Sequence, residues 1–238
     1  MNELMLTPVQ DARTNPTLEF RDGQCLFKMN TLGGTSIERF ISWESVREAA
    51  LKIPVDSGWV GPEIVRWGTG KYGEWCVAFI PPGRHTLELT SGTPGESEQV
   101  ERVTVPLPGM AMFGAAVKYF VWAVKTETLN PQHEIYRAPL PNVMQDGSIC
   151  WGLLKPPQAG PRTMLKAWEI FISSTFNNHA ANGKSKRNPE DVRELLKRLG
   201  LEEAESYPVE DLCRQVERTG VTLDSALRKF WGDGGMPG

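Results

Sequence analysis

Between residues 63 and 124 the chain reads as six short apolar runs cut apart by turn residues, and that rhythm limits what it can fold into. The runs are 63–67, 75–80, 85–90, 100–105, 110–113 and 118–124. Glycine- and proline-rich breaks at 68–73, 81–83 and 91–96 separate several of them. Leu87 and Leu89 alternate with polar neighbours, as do Val103 and Val105, which is the period of a strand with one buried face. Tyr119-Phe120-Val121-Trp122-Ala123-Val124 is apolar throughout, yet short and rich in aromatic residues, so it is expected as a central strand rather than a helix. An antiparallel meander follows from this pattern. Helical stretches on either side place the chain in the α+β class.

The flanks fill in that plan. Two runs around Asp22-Gly23 predict a hairpin over 18–30. Ser42 is placed to cap a helix running through Leu51, with Pro54 as its stop. Met164, Leu165, Trp168, Phe171 and Ile172 give a helix over 162–176 a broad apolar face. The polar, basic stretch 182–188 reads as a linker. Three short amphipathic helices are expected beyond it. Pro189 starts the first, with Val192, Leu195, Leu196 and Leu199 on one face. Pro208 starts the second, with Val209, Leu212, Cys213 and Val216. Thr222 caps the third, with Leu223, Ala226, Leu227 and Phe230. The expected division is a flexible arm over 1–17, a central domain over 18–181, a helical extension over 188–231 and a disordered tail over 232–238.

With 40% hydrophobic and 23% charged residues, the 238-residue chain has the make-up of a globular protein. A net charge of −3 argues against non-specific nucleic-acid binding, which needs a basic stripe. The longest apolar stretch, 113–124, is short and carries Lys118, so neither a membrane span nor membrane attachment is expected. Met1-Asn2-Glu3-Leu4 has none of the features of a signal peptide. Cys25, Cys76, Cys150 and Cys213 lie too far apart for a zinc signature or a disulfide framework, and a reducing cytoplasm is the simplest compartment.

The chemistry concentrates in 138–151. Pro139 and Pro141 hold Leu140 and its neighbours extended, Asp146-Gly147 makes a turn, and the Asn142 amide and Cys150 thiol flank the loop. A thiol and an amide so placed suit acyl chemistry. Leu140-Pro141-Asn142, followed by Asp146-Gly147-Ser148-Ile149-Cys150, resembles the active-site flap of ubiquitin-conjugating (UBC) enzymes. That flap reads His-Pro-Asn and then a short turn ending Asp-Gly-Ser-Ile-Cys. Tyr136-Arg137-Ala138-Pro139 before it and residues 171–179 after it are similar to a bacterial branch, prokaryotic ubiquitin-conjugating family D.

The resemblance implies a UBC-like fold, here with an added N-terminal hairpin and C-terminal helices, and 18–181 as its catalytic domain. It implies that Cys150 accepts the C-terminal glycine of a ubiquitin-like modifier from a ThiF-like activating enzyme and passes it to a nucleophile on a target protein. No cofactor or metal is called for. By resemblance Asn142 stabilises the flap or the oxyanion of attack. As a residue in a turn it equally serves to satisfy the backbone. Leu140 departs from the family's His, which orders the loop by hydrogen bonding, and this puts the flap geometry in question. His179 either lowers the Cys150 pKa or deprotonates the attacker, or is simply a His at a helix C-terminus. Asp146 positions an incoming amine or only forms the turn with Gly147. Trp151 shields a thioester or fills the core with the other tryptophans. Gly234-Gly235 resembles the acyl-donor end of a ubiquitin-like protein, but three residues follow it, so a tail is the plainer reading.

Two other functions remain open. Cys150 and His179, with Asn177 or Asn178 as orienter, suit a cysteine hydrolase, which would want a helix start beneath the thiol. A catalytically inactive UBC-like module that only holds a modifier is the other.

Overall fold

The computed structural model describes residues 16–21, 24–30, 35–51, 55–61, 63–70, 73–91, 99–215 and 220–231. It divides into two compact units, residues 1–54 and 55–238. In the first, β1 (Thr17–Arg21), β2 (Gln24–Asn30) and β3 (Ser36–Ile41) form an antiparallel sheet in that order. The expected hairpin is thus present and carries a third strand. Helix α1 (Trp43–Leu51) follows, and the Ser42 hydroxyl accepts from the Ser45 N–H at 3.1 Å, the cap expected of it.

The second unit is built on a six-stranded sheet. It contains β4 (Val55–Asp56), β5 (Ile64–Gly70), β6 (Gly73–Ile80), β9 (Gly109–Ala115), β10 (Lys118–Val124) and β11 (Tyr136–Arg137). Their order is β11-β10-β9-β6-β5-β4, antiparallel throughout. β7 (Gly83–Ser91) and β8 (Gln99–Leu107) leave it as a separate antiparallel pair, which β12 (Thr175–Phe176) joins in parallel beside β7.

The continuous apolar run of β10 is explained by burial on both sides. Tyr119, Val121 and Ala123 enter one core, with Cys76, Ala78, Met110 and Met112 from the neighbouring strands. Phe120, Trp122 and Val124 enter the other, with Val77, Phe79, Ala111 and Phe113. The period of two sorts one run into two cores. The first core is closed by the β7–β8 pair, by α2 (Met164–Ile172) and by α3 (Val192–Leu201). The second receives Leu223 and Leu227 of α4 (Leu223–Trp231).

Those helices change the expected division of the chain. Leu195, Leu196, Leu199, Tyr207 and Leu212 share a core with the sheet, so 188–231 completes the body rather than extending from it, and no boundary falls near 181–188. Of the three expected C-terminal helices, the first and third form. Asp191 caps α3 by accepting from the Arg193 N–H, and Thr222 caps α4 by accepting from the Ser225 N–H at 3.2 Å. The second is a single 3₁₀ turn, Val209–Asp211. After it the backbone is extended, with bridges Leu212–Ser185 and Arg214–Tyr136. Pairing there serves the 2.9 Å bond from the Arg137 N–H to the Cys213 carbonyl, which a helix would have prevented. The arm over 1–15 and the tail over 232–238 with Gly234-Gly235 lie outside the described residues, as does Val216.

Candidate active site

The stretch 142–150 folds as a miniature hairpin laid along the edge of β10. Val143 bridges Ile149, and the Met144 N–H donates to the Ser148 carbonyl at 2.8 Å. Two backbone bonds fasten the hairpin to the sheet, Val121 N–H to the Gly147 carbonyl at 2.8 Å and Ile149 N–H to the Tyr119 carbonyl at 2.9 Å, and the Trp122 indole N–H donates to the Asp146 carbonyl at 3.2 Å. At the tip the Asp146 carboxylate accepts from the Ser148 N–H at 2.9 Å and the Ser148 hydroxyl at 2.6 Å, so it is committed to the turn. Gly147 has φ +93° and lies against the Trp122 indole, so any side chain there would strike the ring.

Asn142 enters the hairpin with φ +62°, a conformation that Asn tolerates better than most residues. Its N–H donates to the His179 carbonyl at 3.0 Å, and its own carbonyl accepts the Cys150 N–H at 2.7 Å. Its side-chain Nδ2 donates to the Thr175 carbonyl at 3.0 Å, while its buried Oδ1 has no partner among the described residues. This one residue ties together the flap, β12 and the segment carrying His179. The amide therefore serves the backbone, and its second N–H has no partner among the described residues.

Cys150 is half-buried and opens on a cleft of about 670 Å³. Its lining includes Asn142, Trp151, Leu154, Ser174, Thr175 and His179. The other thiols are poorer candidates. Cys25 and Cys76 are fully buried, burial pushes Cys76 up to about 12, and burial also raises Cys213. Trp151 packs edge-on against Tyr119 and Phe171 at centroid distances of 5.4 and 5.9 Å, so it is part of the core and a wall of the cleft together. Past it the chain turns outward at Gly152, and Leu153 is fully exposed. Among the described residues no group of three or more His, Cys, Asp or Glu is placed to hold a metal.

His179 is exposed on the cleft rim. It is not at a helix end, because α2 stops at Ile172 and not at 176, with Ser173 and Ser174 hydroxyls capping its last carbonyls. Thr175–Phe176 pairs as a strand instead, so the helix-dipole explanation for His179 falls away.

Leu140 is completely buried in the first core, and Pro141 beside it is buried too. A side-chain donor to the flap carbonyls stands at Lys184. Its side chain is 1% exposed, and its Nζ donates to both the Leu140 and Val143 carbonyls. Burial, helped by the charge of Arg137, pulls the Lys184 ammonium down to about 7. Arg137 in turn holds the Gly183 carbonyl at 3.0 Å. The stretch expected as a linker is thus wedged beneath the flap. Lys184 escaped the sequence reading because a lysine among Gly, Ser and Arg looks like solvent-exposed connection. The one signal available was the Leu at 140, which leaves flap carbonyls needing another donor.

The family model of prokaryotic E2 family D matches residues 42–215. The chain belongs to prokaryotic E2 family D. The E2-like fold agrees with the antiparallel sheets and four α-helices of the described residues. E2-family membership carries a ubiquitin-conjugating-like role in general, with an activating enzyme and a ubiquitin-like modifier as the general kinds of partner. Comparison with characterised proteins and with solved structures gave no match. No helix of the described residues is long and apolar enough to cross a membrane.

Proposed function

We propose that this E2-family chain carries a ubiquitin-like protein as a thioester on Cys150 and transfers it to a nucleophile on a target protein. The observation that carries the reading is a half-buried thiol, its backbone fixed by its own N–H to Asn142, that lines a cleft of about 670 Å³. In the loading step the Cys150 thiolate attacks the thioester of an activating enzyme. A new C–S bond forms, the old one breaks, and the donor leaves as thiolate. In the discharge step a target amine or hydroxyl attacks the Cys150 thioester, loses a proton and expels the Cys150 thiolate. The second N–H of the Asn142 amide supports the oxyanion in both steps, and donors of this kind contribute about 2.7–4 kcal/mol. His179, whose ring has no partner among the described residues, is the base on the rim.

The hydrolase reading is weaker. Cys150 leads into an exposed turn at Gly152, and the next helix begins only at Met164, so the thiol has no helix start in sequence beneath it. The test mixes the protein with its activating enzyme, ATP and modifier, followed by a non-reducing gel. A reductant-sensitive adduct is expected with the wild-type chain. Its persistence in Cys150→Ala would remove Cys150 from the role.

A further inference from the structure

Beneath the flap lies a charged side chain that the proposed transfer does not use. Lys184 is as buried as the leucines around it, which is rare for lysine unless its head group is hydrogen-bonded. Its two acceptors are not scattered. Leu140 and Val143 are the residues that flank Pro141-Asn142, so one Nζ grips the chain on both sides of the left-handed residue. Asn142 is the residue whose carbonyl fixes the Cys150 N–H. Lys184 thus holds the chain on both sides of Asn142, and Asn142 in turn holds the N–H of the nucleophile.

The platform that holds Lys184 is itself fastened. The Gly183 carbonyl accepts from Arg137, and Ser185 bridges Leu212. The Lys186 N–H donates to the Asp211 carbonyl at 3.0 Å, and the buried Asp211 carboxylate accepts from the Arg187 N–H at 2.8 Å. Such backing on both sides is what a donor needs if it is to impose a conformation rather than follow one.

We infer that Lys184 is the positioning residue of the active-site flap, clamping the Leu140 and Val143 carbonyls so that Asn142 and Cys150 keep their relative placement. This rests on Cys150 being the acyl carrier proposed above, for it is that cysteine's placement that the clamp serves. Both the ammonium and the neutral amine have at least two N–H donors for two carbonyls, so the clamp does not depend on the charge.

The test uses the full chain and Lys184→Met, which keeps length and apolar bulk but has no donor. Hydrogen exchange is read at the flap amides of Met144 and Cys150 and, as reference, at the paired amides of β6 and β9. Peptide-resolved alkylation of Cys150 is followed against pH. The expected result is flap amides exchanging at least about tenfold faster, sheet amides unchanged, and a displaced alkylation profile for Cys150. Flap amides protected as in wild type, with the Cys150 profile unmoved, would overturn the inference. Where Lys184→Met does not fold, the wild-type chain decides. Lys184 Nζ protons exchanging at least about tenfold more slowly than those of surface lysines support the clamp, and exchange at the surface rate overturns it. No readout needs an activating enzyme or a modifier, so a failed clamp and a failed transfer are told apart.

Discussion

The carbonyl of Asn142 accepts the N–H of Cys150 at 2.7 Å, so the nucleophile and the amide beside it are fixed by a single backbone bond. Asn142 holds this position at φ +62°, which glycine adopts without strain. Asn142→Gly therefore removes the amide and spares the backbone. The expected outcome is a chain that folds normally and discharges its thioester about 10²–10³ times more slowly, measured by single-turnover transfer to a free amine. An unchanged discharge rate would leave the amide with only its bond to Thr175.

Gly147 meets the face of the Trp122 indole and has φ +93°. In Gly147→Ala the methyl group is strained by the backbone and blocked by the ring. A loss of at least about 1–3 kcal/mol is expected from the backbone alone. Urea denaturation followed by tryptophan fluorescence measures it.

The Lys184 ammonium, at about 7 in the folded chain against 10.5 for ordinary lysine, makes stability depend on pH. Below about 7 both folded and unfolded chains bind the proton, and the cost of burying the charge is constant. Between 7 and 10.5 only the unfolded chain binds it, so stability rises with pH, by at most about 1.4 kcal/mol per unit. Denaturation midpoints of wild type and Lys184→Met are compared from pH 7 to 10. The stability of the wild type minus that of the variant should rise towards alkaline pH, and a value that stays flat or falls contradicts the burial.

Alkylation should discriminate among the thiols. Cys150 opens on the cleft, burial raises Cys213 and Cys76, and Cys25 is sealed in the first unit. Limited treatment with iodoacetamide at neutral pH, read by peptide mass spectrometry, is expected to label Cys150 first and Cys25 and Cys76 last.

Leu227 of α4 is fully buried in the second core. Leu227→Ala is expected to cost about 2–5 kcal/mol in thermal or chemical unfolding. A near-neutral result would mean that α4 lies loosely on the sheet.

What the sequence disclosed was governed by how local the determining interactions are. The strands β5 to β10 were legible because alternation and turn residues are written within ten residues of each other. The flap was legible through its resemblance, since its turn chemistry, Pro141, Asp146 and Gly147, is contiguous. What stayed hidden depends on distant partners. Residues 209–216 have a helical pattern, but Leu212 and Arg214 pair with Ser185 and Tyr136 instead. The end of α2 was overextended because Phe176 suits a helix face as well as it suits the parallel pairing with Leu89. Lys184 was missed because burial of a lysine is decided by carbonyls more than forty residues earlier in the chain, which no local pattern records.

With α2, α3 and the β7–β8 pair over one side of the central strands, and α4 over the other, neither broad surface of that sheet is left bare at its middle. Within this unit the middle of that sheet is therefore held inside, and what the described residues expose is helix surface, loop and strand edge. Past Trp151, Leu153 projects fully exposed beside the cleft that Cys150 lines, so the thiol's immediate surroundings present an apolar side chain to solvent.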